Sequence, residues 1–419
     1  MPGTRQFALA FALTLALGQP PALVAGDDPP RSPGVATPSD PVFTATLIDG
    51  STTSGQIRKL GELEGVTLVS EQGQERKIAA DRLVKLTREG ASPPATSEGG
   101  DLVLFPDGDR LTRCRIGKAG EFALAVHSFA LDDVAVPLDG ILGLVFANPS
   151  PDPSAVDALV ARVRAEPRDS ELAWLANGDK LSGLFAGLDE KKLTFQPPTG
   201  KVELARPSVL ALGFAQAQVI YRRPEGPFFE LTLLDGSRLG ATKVRLDRGQ
   251  VVATTRFETE VRLPIGELAL VHALNGTASY LADRDPVGTI YEPYLGAPRM
   301  YRRNAAVTGE VLRVGGIAFD RGLGTQSRTY LVYKLEPGAK RFQARIALDD
   351  QAGPLGNVVF RVQVDRAVRY ESPPMAAGES ARSIDVDVTG GKLIVLVTEY
   401  GERGDVQDLA DWIEARIIH

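Results

Sequence analysis

The residue types that usually do chemistry are sparse in this chain. It holds three histidines, His127, His272 and the terminal His419. No His-x-x-x-His pair is present to grip zinc from a helix. No Gly-x-Ser-x-Gly elbow offers a hydrolase nucleophile, and no Gly-x-x-x-x-Gly-Lys loop offers a phosphate cradle. Gly322-Leu-Gly324 is a two-glycine fragment between strands, not a strand-to-helix dinucleotide fingerprint. His127 and His272 fall in strand-like runs and read as ordinary sheet residues. The one cysteine, Cys114, alternates with apolar neighbours and reads as a buried structural thiol. A single cysteine gives no internal disulfide, so stability must come from sheet burial.

Carboxylates and planar polar groups remain, and they gather in the C-terminal third. Glycoside hydrolysis uses two carboxylates ~5–10 Å apart. Asp349 and Asp350 are adjacent, and neighbours at a strand end point to opposite sides, which makes them a poor acid/base pair. Asp411 joins them if the last strand lies beside theirs. Three roles stay open for these acids. They can accept backbone N–H bonds or pair with Arg416 or Arg345, bind a ligand, or hold Ca²⁺ through oxygen, with Asp349 and Asp350 as the metal candidates. Sugar recognition wants an aromatic platform beside planar polar groups. Trp412, Tyr330, Tyr333 and Tyr370 are available for the first; Gln326, Arg328, Asp350 and Arg366 for the second. Trp412 alternates with apolar residues of a terminal strand, so it reads as core or as platform. The candidate ligand-binding set is Gln326, Arg328, Asp349, Asp350, Asp411 and Trp412, with no catalytic residue.

Short apolar-alternating runs position these residues. Thr329 to Leu335, Arg341 to Leu348, Val358 to Val364, Ile384 to Val388, Leu393 to Thr398 and Trp412 to Ile418 all alternate and are broken by Gly, Pro and Asp. That pattern predicts antiparallel sheets packed face to face. Leu393-Ile-Val-Leu-Val397 is apolar on both faces and predicts a central strand covered on both sides. The ligand edge is expected where Gly322–Arg328, a Gly-rich connector, meets Asp349–Asn357 and Asp408–Trp412.

Four pieces in this order resemble the NPCBM family of carbohydrate-binding modules, often appended to bacterial glycoside hydrolases. They are Arg321-Gly-Leu-Gly-Thr-Gln-Ser327, the strand from Phe342 to Asp349-Asp350, Val358-Val-Phe-Arg-Val-Gln-Val-Asp365, and Asp408-Leu-Ala-Asp-Trp-Ile-Glu-Ala-Arg416. The resemblance covers roughly residues 278–419 and implies a β-sandwich of jelly-roll type that binds a glycan. Two positions depart from the family pattern. Gln326 stands where a His is usual, and Ala347-Leu348-Asp349-Asp350 stands where Gly-x-Asp-Asp is usual.

Upstream, a small β unit repeats. A strand ends in a turn dipeptide at Asp49-Gly50, Asp107-Gly108, Asn177-Gly178 and Asp235-Gly236. Asp-Gly and Asn-Gly predict tight hairpins with positive φ at both central residues. Each unit closes with a brief turn, preceded by Pro137, Pro207 or Pro264 in the last three units, and a final apolar strand. Five short strands in ~40 residues predict tandem SH3-like or Sm-like barrels at 41–90, 101–148, 171–215 and 228–275, sharing or packing strands because each buries little alone. The fold class is therefore all-β. One short helix is expected near 154–165, within a spacer at 152–167. Asp152-Pro153 opens it, Val156, Leu159, Val160 and Val163 form one face, and Pro167 stops it.

The N-terminus reads as a signal peptide, 1–25, with Arg5 before an apolar Phe7–Leu17 run too short to span a bilayer comfortably. A proline-rich linker follows at 26–40. The expected location is exported, periplasmic or extracellular, with no membrane span after signal cleavage. With a net charge of −6 and 43% apolar residues, the chain suits a soluble globular protein and argues against nucleic acid as a partner. The reading from sequence is an exported, non-enzymatic glycan-binding protein. Its alternative is a cell-envelope scaffold that binds proteins and has lost sugar binding. No cofactor other than a possible calcium ion is called for.

Overall fold

The computed structural model describes residues 40–91, 99–147, 153–292, 294 and 299–419. The expected signal peptide at 1–25, all of the linker at 26–40 except Asp40, and the Asp152 helix cap lie outside them. The fold is all-β with one helix, Pro153–Ala165. Among the described residues no helix is long and apolar enough to cross a membrane.

Four runs of five strands share one pairing pattern. In the first, Val42–Leu47 pairs with Thr52–Gly61, which pairs with Gly65–Val69, which pairs with Glu75–Ile78. The fifth strand, Leu83–Arg88, returns to pair with the first. A 3-10 turn, Ala80–Arg82, joins the fourth strand to the fifth, and these two are not paired. The same order recurs from Asp101–Leu104 to Gly143–Val145, from Glu171–Leu175 to Val209–Gly213, and from Phe228–Leu233 to Leu268–Leu274. The ring of pairings thus stays open at one joint, and no sheet closes into a barrel among the described residues.

Local chemistry explains the hairpin between the first and second strands of a run. Leu47 O accepts from Gly50 N at 2.9 Å, and Gly50 has φ +80°. Asp49 Oδ1 accepts from Ser51 N at 2.9 Å. Asn177 and Asp235 make the same bond to the residue two places on. Positive φ at both turn residues is found only at Asp107 and Gly108. In the other three turns glycine alone takes the left-handed conformation, while Asp or Asn serves as a side-chain acceptor.

Edge strands link the runs. The fifth strands of runs one and four pair, with Val271 opposite Leu86. Those of runs two and three pair, with Leu144 opposite Leu212. A strand edge left open by a small unit is thereby covered by another unit. The helix lays Val156, Leu159, Val160 and Val163 against Leu102, Leu104, Val145 and Trp174, so it packs on runs two and three.

The C-terminal third is a sandwich of two antiparallel sheets. The first runs Arg302–Arg303, Gly322–Gln326, Leu409–Ile418, Arg341–Leu348, Arg382–Asp387, with Ala278–Tyr280 also on Leu409–Ile418. The second runs Gly288–Tyr291, Thr329–Lys334, Leu393–Tyr400, Asn357–Val364, Ala367–Glu371. Phe342, Ala344, Ile346 and Leu348 face Val358, Phe360, Val362 and Val364 across the core. Two expectations change. Gly322–Gln326 is a strand, because its backbone pairs with Leu409–Ile418, rather than a connector. Leu393–Tyr400 is central in its sheet, but its second face is covered only in part: Leu393 is 41% exposed and Val395 half-buried, while Val397 is buried.

Buried charge fastens the sandwich to runs one and four. Arg321 Nη2 meets Glu230 at 2.7 Å, its Nη1 bonds Asp283, and its guanidinium lies over Tyr280. His272 and Arg238 flank the same Glu230 at 3.6 and 3.7 Å. Lys85 bonds Glu414. Burial alone would raise the Glu414 carboxyl, yet Lys85 holds it down at about 2.

Candidate functional site

The three segments expected to form the ligand edge meet at one end of the sandwich. Gln326 lies opposite Leu409, Leu409 O accepts from Asp349 N at 2.9 Å, and Asp408 Oδ1 accepts from Asn357 N at 2.8 Å. The side chains, however, divide between inside and outside.

Trp412 is core. It is fully buried, edge-on to Phe360, and its Nε1 donates to Thr398 Oγ1 at 3.0 Å. Thr398 in turn shares a 2.8 Å bond with Thr325. A ligand platform is excluded because the ring lies between the sheets. Tyr333 is equally buried.

The acids tie loops together. Asp350 is exposed, but its Oδ1 and Oδ2 accept from Gly315 and Gly316 N at 2.7 and 2.8 Å. Asp349 is buried; it accepts from Gln351 N at 2.9 Å and Arg313 N at 3.1 Å. Asp411 is fully buried, and neither of its oxygens receives a donor. Burial first, then the charges of the neighbouring Asp349 and Asp350, push Asp411 up to about 9. Asp411 is thus a buried neutral acid. The calcium expectation does not fit this geometry. Backbone N–H groups take the oxygens of Asp349 and Asp350, and among the described residues no group of three or more His, Cys, Asp or Glu could hold a metal. Arg345 stacks on Phe319 and Arg416 bonds Gln343, so neither meets these acids.

Arg328 and Gln326 remain accessible. Arg328 sits at φ +55° in the two-residue turn between Gly322–Gln326 and Thr329–Lys334, where the chain changes sheets. Its side chain, one-third exposed, lies 3.0 Å from Glu292 and 3.3 Å from Glu399. It donates to the Tyr330 hydroxyl at 3.4 Å and lies over the Tyr400 ring. Tyr294, 67% exposed, stands 6.1 Å from Tyr400 with its N–H bonded to Asp405 Oδ2 at 2.7 Å. Asp408 supports the floor beneath. Burial pushes it up to about 6, against the Asn357 N–H and the Ser327 hydroxyl. The surface offers one exposed ring, Tyr294, a half-buried one, Tyr400, and a forked cation flanked by two carboxylates, which suits stacking and hydrogen bonding to a polar ring.

Sequence reasoning missed Glu292, Tyr294, Glu399 and Tyr400. One signal pointed their way: eight of nine tyrosines follow Thr277.

A family model described as NPCBM/NEW2 domain matches residues 288–418. A protein of Renibacterium salmoninarum named "Putative endo-alpha-N-acetylgalactosaminidase" is 26% identical over 181 residues, 40% of this chain and 12% of that protein. The chain therefore spans about an eighth of the length of that relative. Among solved structures, a CBM51 from Clostridium perfringens GH95 in complex with methyl-galactose is 21% identical, covers 34% of this chain and 99% of its own, and gives a TM-score of 0.31. Tandem CBM51 modules of the family 98 glycoside hydrolase of Streptococcus pneumoniae are 12% identical over 90% of this chain and 88% of theirs, with a TM-score of 0.31. Residues 288–418, the body of the C-terminal sandwich, match the NPCBM/NEW2 domain family.

Proposed function

We propose that this chain is an exported, non-catalytic carbohydrate-binding protein, whose sandwich recognises a glycan at the Arg328 end while the five-strand runs display it. One observation carries the reading. At the loop end of a sandwich matched by the NPCBM model, the exposed Tyr294 ring stands beside the half-buried Tyr400 and the Arg328 fork, which is one-third exposed. A sugar ring stacks on such rings through its apolar face and bonds planar groups through its hydroxyls. Catalysis is disfavoured by the state of the acids. A glycosidic acid must be protonated and must reach the substrate. Asp411 is protonated but fully buried, and Glu292 and Glu399 are both committed to Arg328. Export rests on the apolar leader of the sequence.

A scaffold role is the second reading, favoured by Phe122 and Phe129 on the second run, 77% and 83% exposed. A glycan array on the full chain separates the two. Saturable binding to a defined glycan supports the first. Silence on the array supports the second. Release of reducing sugar from a bound glycan would overturn the non-catalytic assignment.

A further inference from the structure

A cleft of about 520 Å³ opens where runs two and four, the helix and the sandwich meet. Arg110, Arg164, Arg223, Arg238 and Arg303 line it, with Asn304. Three acids share the wall: Asp320 sets its charge against Arg110 and Arg238, and the other two are engaged in ion pairs. Asp107 pairs with Arg256 at 2.8 Å, and Asp283 pairs with Arg321 and with Arg223. Among the described residues Arg110 and Arg164 bond only to carbonyl oxygens. Arg110 Nε donates to Gly236 O at 3.0 Å, and Arg164 donates to Phe105 O and Asp109 O.

The convergence has a structural origin. Arg110 and Arg238 each stand two residues past a turn glycine, Gly108 and Gly236. The two runs meet antiparallel with these arginines in register. Arg238 Nη2 donates to Asp107 O at 3.2 Å, the counterpart of the Arg110 bond to Gly236 O. A Cβ at position 108 would lie 1.8 Å from Arg238 Nη2, so the glycine is needed for this approach. Runs one and three carry Thr52 and Lys180 at the equivalent position. Like charges brought together in a half-buried cleft repel, and the low-dielectric wall sharpens that repulsion. Burial pushes Arg110 and Arg164 down to about 10, and Arg238 pushes both the same way. The chain as a whole carries −6, so this cleft opposes the mean field of the protein.

We infer that the cleft binds a compact oxyanion, gripped by Arg110 and Arg164 and flanked by Arg223 and Arg303. Guanidinium forks match sulfate, phosphate and carboxylate oxygens two at a time, and an anion would neutralise the repulsion. The volume lies in the range of small-molecule sites and exceeds what a bare ion fills, so the oxyanion is a group on a larger molecule, and the choice of a sugar as that molecule rests on the proposed glycan binding. This site is distinct from the Arg328 surface and stands without it.

The test is isothermal titration of the full chain at low salt with inorganic sulfate, a sulfated disaccharide, and the same disaccharide without sulfate. Both sulfated probes should bind, and Arg110→Gln should weaken both at least tenfold while leaving any binding of the unsulfated sugar unchanged. Arg303→Gln, on an exposed side chain, should weaken them severalfold and provides the reading if Arg110→Gln does not fold. Tighter binding of the sulfated disaccharide than of sulfate assigns the site to an acidic sugar; equal binding assigns it to a free ion. Sulfated probes that fail to bind, or that bind wild type and both variants alike, overturn the site.

Discussion

Asp411→Asn removes a proton that the fold must hold against its own chemistry. Asp411 is fully buried on Leu409–Ile418, opposite Gly324 and Ala347, with Asp349 beside it. In the unfolded chain an Asp releases its proton near pH 3.9. In the folded chain Asp411 keeps it up to about 9. Between these values the native state binds more protons than the unfolded state, so stability falls as pH rises, by at most about 1.4 kcal/mol per unit. From pH 4.5 to 7.5 the ceiling is about 4 kcal/mol, and relaxation or water entry around a buried acid brings the working figure to about 2 kcal/mol. Asn has nearly the same shape, carries no titrating proton, and offers an N–H to the Asp349 carboxylate. The variant should match wild type at pH 4 and exceed it by about 2 kcal/mol at pH 7.5. Urea unfolding midpoints at pH 4, 6 and 7.5 read this directly. A variant less stable than wild type at pH 7.5, or a difference independent of pH, would refute the buried neutral acid.

Three further outcomes follow from the same geometry. Gly178 has φ +90° and open space around a Cβ, so Gly178→Val should cost about 1–3 kcal/mol through backbone strain alone; an unchanged melting temperature contradicts this. Glu230→Gln takes the countercharge from Arg321 and Arg238 and should cost about 3–5 kcal/mol, seen as a lower denaturation midpoint. Ca²⁺ and EDTA should leave the melting temperature unchanged, because Asp349 and Asp350 already accept backbone N–H bonds; a rise with Ca²⁺ would restore the metal reading.

Period-2 alternation made the sandwich strands legible, since Phe342 to Leu348 and Val358 to Val364 each turn one face to a shared core. The helix was legible for the same kind of reason, through Val156, Leu159, Val160 and Val163. What alternation does not encode is what covers the second face. Asp411 and Ile413 lie on the outward side of their strand, yet the hairpin Leu312–Val314 and Ile317–Phe319 packs there, through Val314 and Phe319 on Ala347 and Ile413. That hairpin has three residues a side about Gly315-Gly316, and nothing in its short pattern says which surface it covers, so the burial of Asp411 was not legible. Pairing between fifth strands was equally hidden, because an edge strand reads the same whether water or another unit covers it. The ligand end was half legible. Its backbone segments were placed together, but Trp412 turned inward, and the tyrosines beside Arg328 came from segments far apart in sequence.

The central claim is that the Arg328 surface binds a glycan. Calorimetric titration of the full chain with a glycan selected on an array, in parallel with Arg328→Ala and Tyr400→Ala, tests it most directly. Both variants should keep the wild-type melting temperature within a few degrees and lose at least tenfold in affinity, on the order of 1.4 kcal/mol. Affinity unchanged in both variants would place the sugar elsewhere and contradict the account.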